Sequence, residues 1–197
     1  MYIYLVRHGE TDWNQDGRIQ GREDIELNEN GMTQARALAE MFANIKLDSI
    51  ASSPLLRAVE TARTVARKQS LEQIETEEDL IERDYGTISG KHVRREEKQS
   101  LFSNMKIEGL ECMEDVEERM LRIIRRYANK GYKHVLMISH GAAINSVLSV
   151  LSDREIGSGK TWLKNACINV LECEKDQLRI VRYNMNAEEG REYFSSL

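Results

Sequence analysis

The chain has 197 residues, 41% of them apolar and 31% charged, with a formal net charge of −5. That length makes one domain over 1–197 the default and is enough to bury a substantial core. The acidic balance speaks against nucleic acid or an anionic membrane surface as a partner, so an anionic substrate would need a local basic pocket.

Tyr2 to Val6 form an apolar and aromatic run that predicts an inner strand, and Gly9 just after it lets the backbone turn. A polar loop from Asp12 to Asn30, punctuated by Gly17 and Gly21, follows, and loops of this length tend to be functional. Met32, Ala35, Leu38, Ala39, Phe42 and Ile45 recur with helical period and predict a helix over 31–45. A short strand, Asp48 to Ala51, runs into Ser52-Ser53-Pro54. There serine suits an N-cap and proline a first turn, so a second helix is predicted to open at that point with Arg57 in its first turn.

Residues 73–76 read as a third strand and 79–86 as a charged loop or short helical turn. The poorly periodic stretch 91–110 reads as a solvated helix or cap, making a charged cap-like segment of about 82–110. A helix starts at Met113 and is ended by Gly131; the strand Lys133 to Ser139 follows. A helix carrying Ile144, Val147, Leu148 and Leu151 comes next. Two strands, about 166–173 and 177–184, should then pair antiparallel across Lys175-Asp176. Alternating strands and helices predict an α/β three-layer sandwich: a mainly parallel, mixed central sheet, helices on both faces, and the antiparallel pair at an edge.

Three strand ends carry chemistry: Arg7-His8, the Ser52-Ser53-Pro54 turn with Arg57, and Ser139-His140. In an open parallel sheet such ends share one rim. Guanidinium forks match phosphate oxygens, and histidine serves as nucleophile or donor, so the set predicts a phosphate pocket. His92 and His134 match no motif and are expected at the surface. Gly157-Ser158-Gly159-Lys160-Thr161 looks like part of a nucleotide-binding loop, but Arg154 stands where its first glycine belongs, and no such role is assigned. No metal-ligand spacing occurs, so neither metal nor other cofactor is expected. Cys112, Cys167 and Cys173 are odd in number and widely spaced, as in reduced thiols. No signal peptide opens the chain and no apolar run approaches ~20 residues, so the expected setting is soluble and cytoplasmic, as a monomer or homodimer.

From residue 3 to about 150, these motifs resemble those of the histidine phosphatase superfamily, which includes the cofactor-dependent phosphoglycerate mutases. The matching elements are Arg7-His8-Gly9-Glu10-Thr11, then Asn14, Arg18-Ile19-Gln20-Gly21, Leu27-Asn28, Ser52-Ser53-Pro54 with Arg57, Leu80-Ile81-Glu82 with Gly86, and Ser139-His140-Gly141. The resemblance implies His8 as a nucleophile that becomes a phosphohistidine, with Arg7, Arg57 and His140 holding the phosphoryl oxygens. It implies Glu82 as general acid and base, and Asn14, Gln20, Gly21, Tyr85 and Gly141 as further substrate-binding positions. On residue type alone, Asp84 and Glu78 rival Glu82.

Departures from the mutase pattern favour hydrolysis. Ala142 stands where mutases carry asparagine, Val93 where they carry lysine, and the stretch between Glu82 and His140 is shorter. Tyr85 instead matches a mutase aromatic. Lys91, Arg94 and Arg95 could reach a second anionic group but alternate with Glu96 and Glu97, as on a solvated face. The expectation is therefore a phosphomonoesterase acting on a small phosphorylated metabolite. Phosphoryl transfer of the mutase type and non-catalytic phospholigand binding are the alternatives.

Overall fold

The computed structural model describes residues 1–71, 73–92, 106–175 and 177–195. Residues 93–105 of the expected cap-like segment, with Val93, Arg94 and Arg95 among them, lie outside the described residues.

Among the described residues, six strands form one sheet in the order β3-β2-β4-β1-β5-β6. They are β1 Tyr2–Arg7, β2 Ser49–Ser52, β3 Glu75–Thr76, β4 His134–Ser139, β5 Ile168–Glu174 and β6 Gln177–Met185. The first four in that order are parallel, and β5 and β6 add the expected antiparallel edge. The helices are α1 Asp12–Gln15, α2 Glu29–Phe42, α3 Leu56–Gln69, α4 Met113–Ala128, α5 Gly141–Leu151 and α6 Ala187–Ser195.

β1 reads as an unbroken apolar run because both its faces are covered. Its side chains alternate between two cores. Ile3 and Leu5 pack with Val116 and Met120 of α4 and Ile144 and Val147 of α5. Tyr4 and Val6 pack on the opposite face with Leu38 and Phe42 of α2 and Ala58 and Ala62 of α3. Each large side chain so buried contributes about 1.5–3 kcal/mol. The α/β three-layer sandwich expected from the sequence is the fold observed.

Several local expectations are corrected. α3 opens at Leu56, not at the serines: its N-cap position, Leu55, has no side-chain cap, and the orphan Leu56 N–H donates to Asp24 Oδ1 at 2.7 Å from the long loop. Ser53 Oγ accepts from Leu55 N at 3.3 Å ahead of the helix and also meets His140. Gly9 is needed for space and not for turning, since a Cβ there would lie 2.6 Å from Gly31 O. His134 is half-buried, its Nδ1 2.8 Å from the Tyr4 hydroxyl and its ring stacked on Tyr4, whereas His92 is exposed as expected. The predicted loop 12–30 contains α1, and α6 was not expected at all. Phe194 of α6 packs its ring 5.4 Å from Tyr4 and 5.8 Å from Phe42.

Candidate active site

Register builds the site. Arg7 of β1 pairs with Ser139 of β4, so the residues that follow, His8 and His140, leave the sheet side by side. Their rings lie 5.1 Å apart. On the other side of β4, Ser52 pairs with Ile138, which delivers Ser53 to the same rim, where its Oγ lies 2.7 Å from His140 Nε2. Arg57, in the first turn of α3, is only 1% exposed. It donates from Nη1 to Glu23 O at 2.6 Å and from Nη2 to Gly21 O at 2.8 Å, folding the long loop over the rim.

These groups line or adjoin a cavity of about 670 Å³. Arg7, His8, Asn14, Gln20, Gly21, Arg57, Glu82, Tyr85 and Gly141 all contribute to its wall, and the His140 ring lies beside that of His8. The structure thus brings together every predicted site position. Of the three acidic candidates, Glu82 alone lines the cavity. Asp84 turns instead to Arg22 and to the Gly86 N–H, and Glu78 is exposed.

The His8 ring donates from Nδ1 to its neighbour's carbonyl, Gly9 O, at 2.6 Å. A carbonyl only accepts, so Nδ1 carries the proton and Nε2 the lone pair. Burial, reinforced by the positive charges of Arg57 and Arg7, pushes His8 well below the usual histidine range. Burial and Arg57 do the same to His140. Burial also lowers Arg57 to about 10, which leaves it charged at neutral pH. Arg7 Nε, Arg57 Nε and His140 Nδ1 are buried and find no hydrogen-bond partner among the described residues, in a cluster of cationic and donor groups suited to an anion.

Glu82 is 8% exposed and sits at the N-terminus of α5. Its Oε1 accepts from Arg83 N at 2.9 Å and Ala143 N at 3.1 Å, and its Oε2 from Ala142 N at 3.2 Å. Amide donors and helix dipole together hold a carboxyl group there. Gly141 lies between Arg7 and Glu82: a Cβ on it would make ordinary contact, 3.6 Å from Arg7 Nε and 3.9 Å from Glu82 Oε2. Asn14 closes a capping box with Thr11 and also accepts from Asn165 Nδ2 at 2.9 Å.

The loop leading into β5 is part of the site and was missed. Arg7 Nη1 donates to Leu163 O at 2.6 Å, and Ser158, Lys160, Thr161 and Trp162 line the cavity. These include the stretch set aside as a failed nucleotide motif. Its glycines did mark a loop, but only the antiparallel return of β5 beside β1 places that loop over the rim.

A family model described as histidine phosphatase superfamily (branch 1) matches residues 3–186. A Bacillus subtilis protein named uncharacterized phosphatase PhoE is 36% identical over 187 residues, 94% of this chain and 95% of its own length. An Arabidopsis thaliana metal-independent phosphoserine phosphatase is 31% identical over 191 residues, 91% of this chain and 79% of its own. Among solved structures, a phosphoserine phosphatase mutant from Entamoeba histolytica in complex with phosphoserine superposes with a TM-score of 0.80 at 26% identity, covering 95% of this chain and 98% of that one. Paired His-Gly strand ends, a helix-borne arginine and a family match over nearly the whole length agree: the chain belongs to the histidine phosphatase superfamily.

Proposed function

We propose that this protein is a phosphomonoesterase that hydrolyses a small phosphorylated metabolite through a phosphohistidine on His8. The observation that carries this reading is the Nδ1–H to Gly9 O bond on an uncharged, buried ring, which leaves Nε2 as a nucleophile in a nest of positive charge. In the first step Nε2 attacks phosphorus, the P–N bond forms and the ester P–O bond breaks. Glu82, in its protonated form, gives the leaving oxygen its proton and the alcohol departs. In the second step Glu82 takes a proton from water, the water oxygen attacks phosphorus, the P–N bond breaks and inorganic phosphate is released. Arg7, Arg57 and His140 hold the phosphoryl oxygens through both transfers. Asn14, Gln20 and Gly21 line the phosphoryl end, and Tyr85 and Gly141 border the path of the leaving group.

Phosphoserine, named for two of the relatives, is the first compound to test. A panel of phosphorylated metabolites including 3-phosphoglycerate should be followed for both free phosphate and isomerised product. Phosphate release supports the proposal, whereas isomerisation without release would make the protein a mutase. That second reading draws on Tyr85 in the cavity wall. Binding without turnover by any compound would leave a phospholigand-binding protein.

A further inference from the structure

Glu82 lies on a stretch with no ladder to fix it, between 3-10 turns at Glu78–Leu80 and Gly86–Ile88. A largely buried ion pair grips the backbone on both sides of it, beside Arg22, which donates from Nε to Glu82 O at 3.4 Å and pairs through Nη2 with Glu111 at 3.3 Å. Arg119 of α4, 7% exposed, donates from Nη1 to Asp79 O at 2.9 Å and Ile81 O at 2.6 Å. Its Nε and Nη2 form a two-pronged pair with Glu111 at 2.9 and 3.2 Å. Glu111 holds the far side: its N–H donates to Asp84 O at 3.0 Å, its Oε2 accepts from Asp84 N at 3.0 Å, and its carbonyl accepts from Arg83 Nε at 2.8 Å. Neither residue lines the cavity.

We infer that Arg119 and Glu111 are positioning residues that hold Glu82 at the distance and angle its proton transfer needs. This rests on the reading of Glu82 as the general acid. Five bonds from one ion pair and its backbone converge on residues 79–84, none of them on substrate. A two-pronged guanidinium–carboxylate pair fixes direction as well as distance, which lysine in its place would not. Misplacing a reacting group by about 1 Å can cost on the order of 10²-fold in rate.

Leaving-group dependence separates positioning from mere folding. An alkyl phosphate expels an alkoxide that needs the proton from Glu82; para-nitrophenyl phosphate expels a nitrophenolate that leaves unaided. kcat/KM reports the steps up to phosphohistidine formation, so it excludes the later work of Glu82 on water. Wild type, Arg119→Lys, Glu111→Gln and Glu82→Gln are compared on para-nitrophenyl phosphate and on the alkyl phosphate turned over fastest in the panel above. Both clamp variants should lose at least about tenfold more kcat/KM on the alkyl ester than on the aryl ester. Glu82→Gln should show the same discrimination, larger, on the order of 10²-fold. Arg122→Ala, which removes the Arg122 contacts to Asp79 on the solvent side at 2.8 and 3.0 Å, should leave the ratio unmoved. If Arg119→Lys does not fold by circular dichroism, Glu111→Gln, which preserves volume, carries the test. Proportional loss on both esters in the clamp variants, with discrimination kept in Glu82→Gln, overturns the positioning role. Absence of discrimination in Glu82→Gln overturns the acid assignment, and the clamp falls with it.

Discussion

Lowering the pH from about 6.5 to about 5.5 should destabilise the ligand-free fold by about 2 to 3 kcal/mol. The cause is the pair of histidines at the rim. His8 and His140 are buried, and desolvation together with the charges of Arg57 and Arg7 pushes both well below the usual histidine value of 6.5. In the unfolded chain each takes up a proton as the pH falls through about 6.5, while in the fold neither does. The unfolded state then binds more protons, so stability is lost as the pH falls, by about 1 kcal/mol for each histidine across this interval. His134, also lowered by burial, adds in the same direction. Asp48 and Glu111, held below the usual carboxylate range, lose their contributions only at more acid pH. Urea unfolding across this interval measures the slope, and His140→Gln should reduce it by about 1 kcal/mol per unit. A flat wild-type profile, or an unchanged slope in His140→Gln, would refute the picture of two neutral buried imidazoles.

Other outcomes are equally specific. Gly31→Ala places a Cβ 2.1 Å from Glu10 O, so the loop carrying His8 must shift; a loss of about 1–3 kcal/mol in chemical denaturation is expected, with reduced turnover. Asp24→Ala removes the cap on Leu56 N and should cost about 1 kcal/mol, lowering Tm by roughly 2–4 °C in a thermal scan. Prior treatment with a chelator should leave phosphatase activity intact, because nucleophile, proton donor and phosphate clamp are all side chains; loss of activity restored by a divalent metal would contradict that chemistry.

The parts of the site legible in the sequence were those written into strand ends. Arg7-His8 and Ser139-His140 each follow a short apolar run, so local pattern located them, and the parallel register of β1 with β4 brought them together. What local pattern could not show was which distant segment completes each one. Asp24 caps a helix that begins 32 positions later. Leu163 supplies the carbonyl for Arg7 from 156 positions away. Nothing in local pattern marks Arg119 or Glu111, which meet residues 79–84 only in the folded chain. Only α6 left an unused signal: Asn186 accepts from the N–H groups of Glu188 and Glu189, and Glu189 returns a bond to Asn186 N, an Asn-x-x-Glu capping pattern visible in the sequence. The strand–helix alternation gave the layers, because burial on both faces of the sheet leaves an apolar run that any reading of hydropathy detects.

The proposed hydrolysis runs through a covalent bond between His8 and phosphorus. Rapid acid-free quenching of the protein during turnover, followed by peptide mapping, should find one phosphorylated residue, His8, with the acid lability and alkali stability of a phosphoramidate, and His8→Ala should show neither phosphopeptide nor turnover. Full activity in His8→Ala, or phosphate on another residue, would overturn the proposed mechanism.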